Sequence, residues 1–133
     1  MEHEGMVSIW LGKCSDIKDL QHYLQVNYSK FGDYLNSKFE MDFKFECFDE
    51  DLKEINFIER DSDSFSDIIK DQSFSENIIS DYSKKFIDKL DREYNSIILL
   101  YDFNYDGCIK EANGDNVYVK FVGSFKYIKM NNI

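Results

Sequence analysis

The chain has 133 residues, of which 43% are hydrophobic and 17% aromatic, and its formal net charge is −10. This length suits one core, and we predict a single domain over residues 1–133. The acidic excess argues against binding to nucleic acids or anionic membrane surfaces, because both carry negative charge. We therefore expect a neutral or basic protein partner.

The cysteines and the first residues bear on the compartment. Cys14, Cys47 and Cys108 are far apart and form no C-x-x-C pair, so no zinc ribbon or redox motif is present. Residues 1–5 lack the basic and apolar regions of a signal peptide, and we expect them to be frayed. The longest apolar run, residues 97–101, is far shorter than a membrane span. These features predict a reduced, cytoplasmic protein.

Hydrophobic periodicity divides the chain into strands and helices. Alternating apolar residues predict strands at 6–12 and 39–47, and an apolar stripe at helical spacing predicts a helix at 15–31, with Ser15 as its cap. Residues 48–60 suit either a strand or a short helix, and we favour the strand. A loop with a short helix at 65–70 follows, and then a helix begins at Ser75 with a stripe that extends to Leu90. Strands are predicted at 96–103 and 116–122, with a bulge or bend at Gly123 and continuation to Ile128.

This order predicts an α+β fold. We expect a mixed or antiparallel sheet of four to five strands, with two to three helices packed mainly on one face. Trp10, the only tryptophan, lies opposite the Val7, Ile9 and Leu11 face of the first strand. Two interpretations stay open for it, a core residue or an exposed anchor at an interface.

The loop after the strand at 96–103 contains a candidate metal site. Asp102, Asn104 and Asp106 alternate before Gly107, as at the start of an EF-hand calcium loop. The twelfth position is Asn113 instead of glutamate, and a strand precedes the loop where an EF-hand has a helix. A turn built from Asp, Asn and Gly explains the same residues, so we predict no metal and keep calcium binding as the alternative.

Acidic residues concentrate in the middle of the chain. Between Asp49 and Glu76 there are ten acidic and three basic residues, a net of −7 out of the total of −10. Such a segment suits either a solvated loop or a surface complementary to a basic partner. On the second interpretation the candidate contacts are Asp49, Glu50, Asp51, Glu54, Glu59, Asp61 and Asp63, with Trp10.

The same carboxylates suggest an enzymatic alternative. Asp49, Asp51 and Glu54 would be the acid and base groups or magnesium ligands of a small hydrolase. The sequence has no glycine-rich phosphate loop, nucleophile elbow or metal-binding histidine pair to accompany them. We therefore predict that the chain is not an enzyme and uses no cofactor.

Three segments together carry a family resemblance. They are VSIWLG at 7–12, FDEDLKE at 48–54 and NSIILLYDFNY at 95–105. In this order and spacing the chain resembles the Immunity protein 22 family of bacterial polymorphic toxin systems. Trp10, Asp49 and Asp51 match the family's pattern, with Glu54 a weaker match, whereas Leu52 and Lys13-Cys14 depart from it.

The resemblance implies a function. It implies an α+β cytoplasmic protein, encoded beside a toxin, that binds the toxin and protects its producer. Because many such toxins are nucleases with basic clefts, an acidic surface would occlude such a cleft and associate quickly in a salt-sensitive way. The resemblance indicates neither which toxin is bound nor the oligomeric state.

Overall fold

The computed structural model describes residues 2–46, 48–114 and 116–127. Its elements in chain order are β1 (Glu2–Cys14), α1 (Ile17–Tyr23), β2 (Asn27–Tyr28), β3 (Tyr34–Leu35), α2 (Lys38–Phe43), β4 (Lys53–Ser64), α3 (Phe65–Ile69), α4 (Ser75–Ser83), β5 (Lys89–Phe103), β6 (Glu111–Gly114) and β7 (Val117–Lys126). A 3-10 turn at Glu50–Leu52 precedes β4. Residues 2–5, expected to be frayed, are part of β1.

Five strands form one antiparallel sheet in the order β4-β5-β1-β7-β6. The long strands β1 and β5 pair in register from Val7 opposite Tyr101 to Gly12 opposite Ser96. Strands β2 and β3 form a separate small hairpin. The predicted α+β class with an antiparallel sheet is confirmed, and β6 is a strand that the sequence did not predict.

The sheet is covered on both faces. Val7, Ile9 and Leu11 face one core cluster together with residues of α3 and α4. Trp10 faces the other cluster together with residues of α1 and α2. The expectation of two to three helices mainly on one face is therefore wrong, since in the described part of the chain α1 and α2 pack on one face and α3 and α4 on the other. The reason is that β1 and β5 are apolar on both sides, which requires cover on both sides.

Strand β7 contains the predicted irregularity. Ile9 pairs with Gly123 and Trp10 with Phe121, so Val122 is an extra residue in the ladder. Such a bulge changes which face the following side chains occupy. Phe121 packs beside Trp10, whereas Phe125 belongs to the opposite cluster. The strand continues past Gly123 to Lys126, as predicted, and Ile128 lies outside the described residues.

The first helix is shorter than the sequence predicted. It ends at Tyr23, and Asp16 instead of Ser15 caps it by accepting hydrogen bonds from the Lys18 and Asp19 N–H groups. Beyond it the Ser29 hydroxyl accepts from the backbone N–H of Phe31, which starts a turn. Serine hydroxyls compete with helical hydrogen bonds in this way. Phe31, assigned to the apolar stripe, is consequently 81% exposed.

The predicted strand at 39–47 is wrong, because this segment forms α2. Ser37 accepts from the Glu40 N–H and Glu40 accepts from the Ser37 N–H, which is a capping box. Phe39 and Phe43 both enter the core at helical spacing, and Lys44 ends the helix in a left-handed conformation (φ 58°). The alternation of apolar residues thus masked a short helix. Cys47, the last residue of the predicted strand, lies outside the described residues.

In the middle of the chain, the structure agrees with the sequence-based prediction only in part. The favoured strand within 48–60 is confirmed by β4, and the short helix at 65–70 by α3. Residues 61–64 belong to β4 instead of a loop, and the helix from Ser75 ends at Ser83. Phe86 and Leu90, predicted on its stripe, follow the helix, because Lys89 already starts β5. The predicted strand at 96–103 is the second half of β5.

Asp88 fastens α3 to the start of β5. Its carboxylate accepts hydrogen bonds from Ser64 Oγ at 2.5 Å and from the Ser66 N–H at 2.8 Å. Partial burial opposes ionisation, but these hydrogen bonds outweigh it and hold the pKa of Asp88 below its ordinary value. A lowered pKa means that this stabilisation is present above the unfolded value of about 3.9 and is lost as the pH falls below it.

We predict that Asp88→Asn lowers the free energy of unfolding by about 0.5–1 kcal/mol at neutral pH, a modest value because Asp88 is exposed and screened. The difference from wild type should shrink as the pH falls below about 4. Urea denaturation across this pH range measures it, with Asp106→Asn on an exposed loop as the control. A difference that stays constant with pH would contradict the role of the Asp88 charge.

Candidate acidic docking site

A groove of about 350 Å³ opens where the start of β1, the segment before β4 and the end of β5 meet. Its floor is apolar and consists of Phe45, Phe48, Leu52 and Phe103. The three phenylalanine rings are largely buried, and Phe45 packs against Phe103 with ring centroids 5.2 Å apart. The floor is therefore a fixed part of the core that reaches the surface.

Carboxylates form the walls of this groove. They belong to Glu2, Glu46, Asp49 and Asp102, and no Lys, Arg or His is among the described residues that line it. Glu2 lies opposite Phe103 in the β1–β5 pairing, which brings the start of the chain beside residues about a hundred positions later. We call this site, four carboxylates over an apolar floor, the acidic groove.

The carboxylate of Asp102 has fixed partners. Its Oδ1 accepts from the Gly5 N–H at 2.9 Å and from the Tyr127 hydroxyl at 2.6 Å. Partial burial and this hydrogen bond raise the pKa of Tyr127 to about 12, so the phenol stays a donor. Asp102 has a left-handed backbone (φ 56°), which aspartate tolerates better than most residues. Asp102 thus joins β1, β5 and the end of β7 at one wall of the groove.

An aromatic shelf adjoins the acidic groove and shares Leu52 and Tyr101 with it. It consists of Phe74, Tyr101 and Tyr127, with the Phe74 ring 4.9 Å from that of Tyr127. Phe74 is 51% exposed and has a left-handed backbone (φ 58°), which is costly for a bulky residue. The fold thus holds an aromatic ring at the surface, next to carboxylates.

Glu54 connects the shelf to the sheet. It accepts a hydrogen bond from the Tyr101 hydroxyl at 2.6 Å, and the Ser73 N–H lies 3.3 Å from the same oxygen. Burial, followed by the hydrogen bond to Glu54, raises the pKa of Tyr101. Glu54 therefore positions the shelf in addition to adding negative charge. Together the acidic groove and the aromatic shelf form one continuous surface, which we call the docking surface.

The structure divides the acidic residues that the sequence grouped together. Asp49, Glu50, Asp51 and Glu54 lie at or beside the docking surface, around the 3-10 turn and the start of β4. Glu59, Asp61 and Asp63 lie in the second half of β4, roughly 17–30 Å along the strand from Glu54. There Asp61 forms an ion pair with Lys13. The acidic segment is thus two surfaces instead of one.

Trp10 is a core residue, and an exposed anchor role is contradicted. Its side chain is completely buried, with ring centroids 4.9 Å from Phe39 and 5.1 Å from Phe121. Its indole Nε1 finds no hydrogen-bond partner among the described residues. Trp10 therefore offers no surface to a partner, and its effect on binding is limited to supporting the fold.

The candidate calcium loop does not have EF-hand geometry. Asp102 lies near the end of β5, and its carboxylate already accepts a hydrogen bond from Tyr127. Tyr105, which lies between the other two candidate ligands, is buried, and its hydroxyl donates to the Phe43 carbonyl at 3.0 Å. Asn104 and Asp106 lie in the loop from β5 to β6, so strands flank the loop where an EF-hand has helices. In the described part of the chain, no group of three or more His, Cys, Asp or Glu side chains is arranged to hold a metal ion.

The carboxylates of the hydrolase alternative have structural partners. Asp49 caps the 3-10 turn by accepting from the Asp51 N–H at 2.9 Å, and Glu54 binds Tyr101 and Ser73. The geometry suits binding better than catalysis.

Sequence reasoning missed part of the site. The sequence places Glu2 in an end expected to be frayed and Glu46 on the solvent-facing side of a predicted strand, and it predicts a turn at Asp102 with calcium binding as the alternative. A signal for Glu2 and Asp102 lies in the pairing of the first strand with the strand at 96–103, since an antiparallel pair of that length brings the start of the chain to the end of the second strand. Their placement required the register of that pair.

Comparison with known proteins gives the family. Residues 7–128 match the family described as Immunity protein 22. The chain belongs to this family. The resemblance of the three sequence segments is thereby confirmed, and it indicates an immunity function. No curated protein and no solved structure matches the chain.

The match to the Immunity protein 22 family spans most of the docking surface. It includes the groove residues from Phe45 to Phe103 and the aromatic shelf, whereas Glu2 precedes it. Among the described residues of this family member, no helix is long and apolar enough to cross a membrane.

Proposed function

We propose that this chain neutralises a cognate bacterial toxin by binding the toxin domain stoichiometrically through the docking surface, in the cytoplasm of the producing cell. The observation that carries the proposal is the acidic groove in a member of an immunity protein family, with four carboxylates, an apolar floor and no cationic residue in its described lining. Catalysis has no part in this mechanism.

The chemistry of the surface favours a basic partner. Carboxylates at the rim speed encounter with a positively charged protein and disfavour acidic ones. Exposed aromatic rings such as Phe74 supply the apolar contact that charge alone does not provide. A nuclease fits this description, since its substrate cleft carries basic groups that hold phosphate, and carboxylates would occupy those groups in place of the nucleic acid.

The first experiment is co-expression of this chain with the toxin domain encoded beside its gene, followed by pull-down and a growth assay. We expect a stable one-to-one complex and restored growth. A nuclease assay on the purified complex then determines whether the toxin cleaves nucleic acid and whether binding blocks cleavage. Failure of both complex formation and rescue would refute the proposed function.

We predict that the double variant Glu46→Lys/Asp51→Lys weakens toxin binding by about 10- to 100-fold, because like charges would face each other at the interface. Both residues are exposed, and neither has a side-chain hydrogen bond or ion pair among the described residues, so the fold should persist. Affinity and association rate are measured by surface plasmon resonance at low and high salt. The wild-type association rate should fall with salt.

Two double variants with the same change in net charge serve as comparisons. Asp61→Lys/Asp63→Lys alters the distant end of β4, where the sequence also predicts partner contacts. Glu76→Lys/Glu93→Lys alters exposed positions elsewhere. We expect wild-type-like affinity from the last pair and a small effect from Asp61 and Asp63. Strong loss at Asp61 and Asp63, with none at Glu46 and Asp51, would move the interface to the other end of β4.

A further inference from the structure

The shape of the acidic groove restricts what it accepts. Its volume of about 350 Å³ lies at the lower end of the range for ligand pockets, roughly 300–1,000 Å³, so it suits one long side chain better than a folded segment. Apolar rings form the floor and carboxylates line the walls. The occupant must therefore combine an apolar stem with a polar head.

The charge of the walls determines the head group. A neutral apolar ligand would desolvate the carboxylates of Glu46 and Asp49 without offering them a partner, which is unfavourable. An anionic ligand would be repelled. Lysine and arginine satisfy both parts of the groove, since they lay an aliphatic stem on apolar surface and keep a cationic head among polar groups.

One groove residue, Phe48, already makes a contact of this kind with a lysine that does not line the groove. Lys53 Nζ lies 5.9 Å from the centroid of the Phe48 ring and 3.8 Å from Glu50 Oε1. A cation is thus shared between an aromatic face and a carboxylate at the edge of the floor. The described residues that line the groove itself supply rings and carboxylates without a cation, which leaves a cation for a partner to supply.

We propose that the toxin inserts an arginine side chain into the acidic groove, with its aliphatic stem along the apolar floor and its guanidinium paired with the carboxylates of Glu46 and Asp49. This inference rests on the proposed function and names the chemistry of the partner's anchor. Arginine fits better than lysine because a planar guanidinium forms two hydrogen bonds to one carboxylate.

A small probe tests the groove without the toxin. Nα-acetyl-arginine methylamide is titrated into the 15N-labelled full chain, and amide shifts are followed by NMR. The matched probes are the lysine analogue and the citrulline analogue, which keeps the shape of arginine but has no charge. We expect saturable shifts at Phe45, Phe48 and Asp49, with arginine at least about tenfold tighter than citrulline. Equal binding of arginine and citrulline, or shifts elsewhere only, would overturn the proposal, and equal binding of lysine would overturn the choice of guanidinium.

Variants of the chain separate this inference from the proposed function. Glu46→Gln/Asp49→Asn removes both charges, and asparagine retains the ability to cap the 3-10 turn. It should weaken the arginine probe and the toxin at least about tenfold, whereas Glu76→Gln/Glu93→Gln should change neither. If the toxin binds the groove variant as tightly as wild type, the arginine anchor is refuted and the immunity function stands. If the wild-type chain binds no toxin, the immunity function is refuted independently of the probe result.

Discussion

Replacing Trp10 with alanine should lower the free energy of unfolding by about 3–5 kcal/mol, the range for truncating a large aromatic residue in a core. Trp10 is completely buried and contacts aromatic rings from several elements, including Phe39 of α2 and Phe121 of β7. The substitution would leave a cavity between the sheet and α2 and would remove the ring contacts that join them. Urea denaturation followed by far-UV circular dichroism measures the change, because the variant has no tryptophan fluorescence to follow.

Two matched variants test whether lost core packing causes the lower stability of Trp10→Ala. Trp10→Phe keeps most of the apolar volume and sacrifices no indole hydrogen bond to the described residues, so its loss should be less than half as large. Phe31→Ala removes a ring that is 81% exposed and should change stability by no more than about 0.5 kcal/mol. A loss below about 1 kcal/mol for Trp10→Ala would contradict the core position. Because Trp10 lies inside, toxin binding by the folded Trp10→Phe variant should equal that of wild type.

Glu40→Ala should have the second largest effect on stability, a loss of about 2–3 kcal/mol, because it removes a cap and leaves buried donors without their acceptor. Glu40 is completely buried, and its Oε1 accepts from the Ser37 N–H at 2.7 Å and from Ser37 Oγ at 2.8 Å. Its Oε2 accepts from the Tyr34 hydroxyl at 2.6 Å. One side chain thus joins the β2–β3 hairpin to the start of α2. Chemical denaturation gives the magnitude, and amide hydrogen exchange should show faster opening of α2.

Glutamine provides the control at this position. Glu40→Gln keeps an acceptor for Ser37, and glutamine also occurs at this place in capping boxes, so the loss should be less than half of that for alanine. Equal losses in the two variants would mean that the charge of Glu40, and not its capping geometry, stabilises the helix start. Met41→Ala, at a 56% exposed neighbour in the same helix, should leave stability nearly unchanged.

The docking surface shows that candidate residues are easier to predict from a sequence than their grouping into one site. The sequence singles out Asp49, Asp51 and Glu54 as candidate site residues, but it groups them with Asp61 and Asp63 because they are close in the chain. An extended strand separates such residues by roughly 3.3 Å each, so nearness in sequence does not mean nearness in space. Asp102 entered the same site from β5 through the register of the sheet.

In the short helix α2, the local sequence signals conflict, and tertiary packing determines the conformation. The sequence S-K-F-E at 37–40 contains a capping box, yet the alternation of Phe39, Met41, Phe43 and Phe45 indicated a strand. In a segment this short both periods place apolar residues inside, and burial decides between them. As residues of a helix, Phe39 and Phe43 both contact the Trp10 ring, which leaves Met41 at the surface.

The sequence by itself determined the α+β class, the strands around Trp10 and Ile97, the bulge near Gly123 and the family, because these depend on local periodicity and on segments that are contiguous in the chain. Only the tertiary structure decided that helices cover both faces, that Trp10 is internal and that the acidic groove exists. Each of these depends on pairing between distant strands. The groove joins the second residue of the chain to residues near 46–52 and 101–103, and the free energy that holds them together comes from the shared core beneath them.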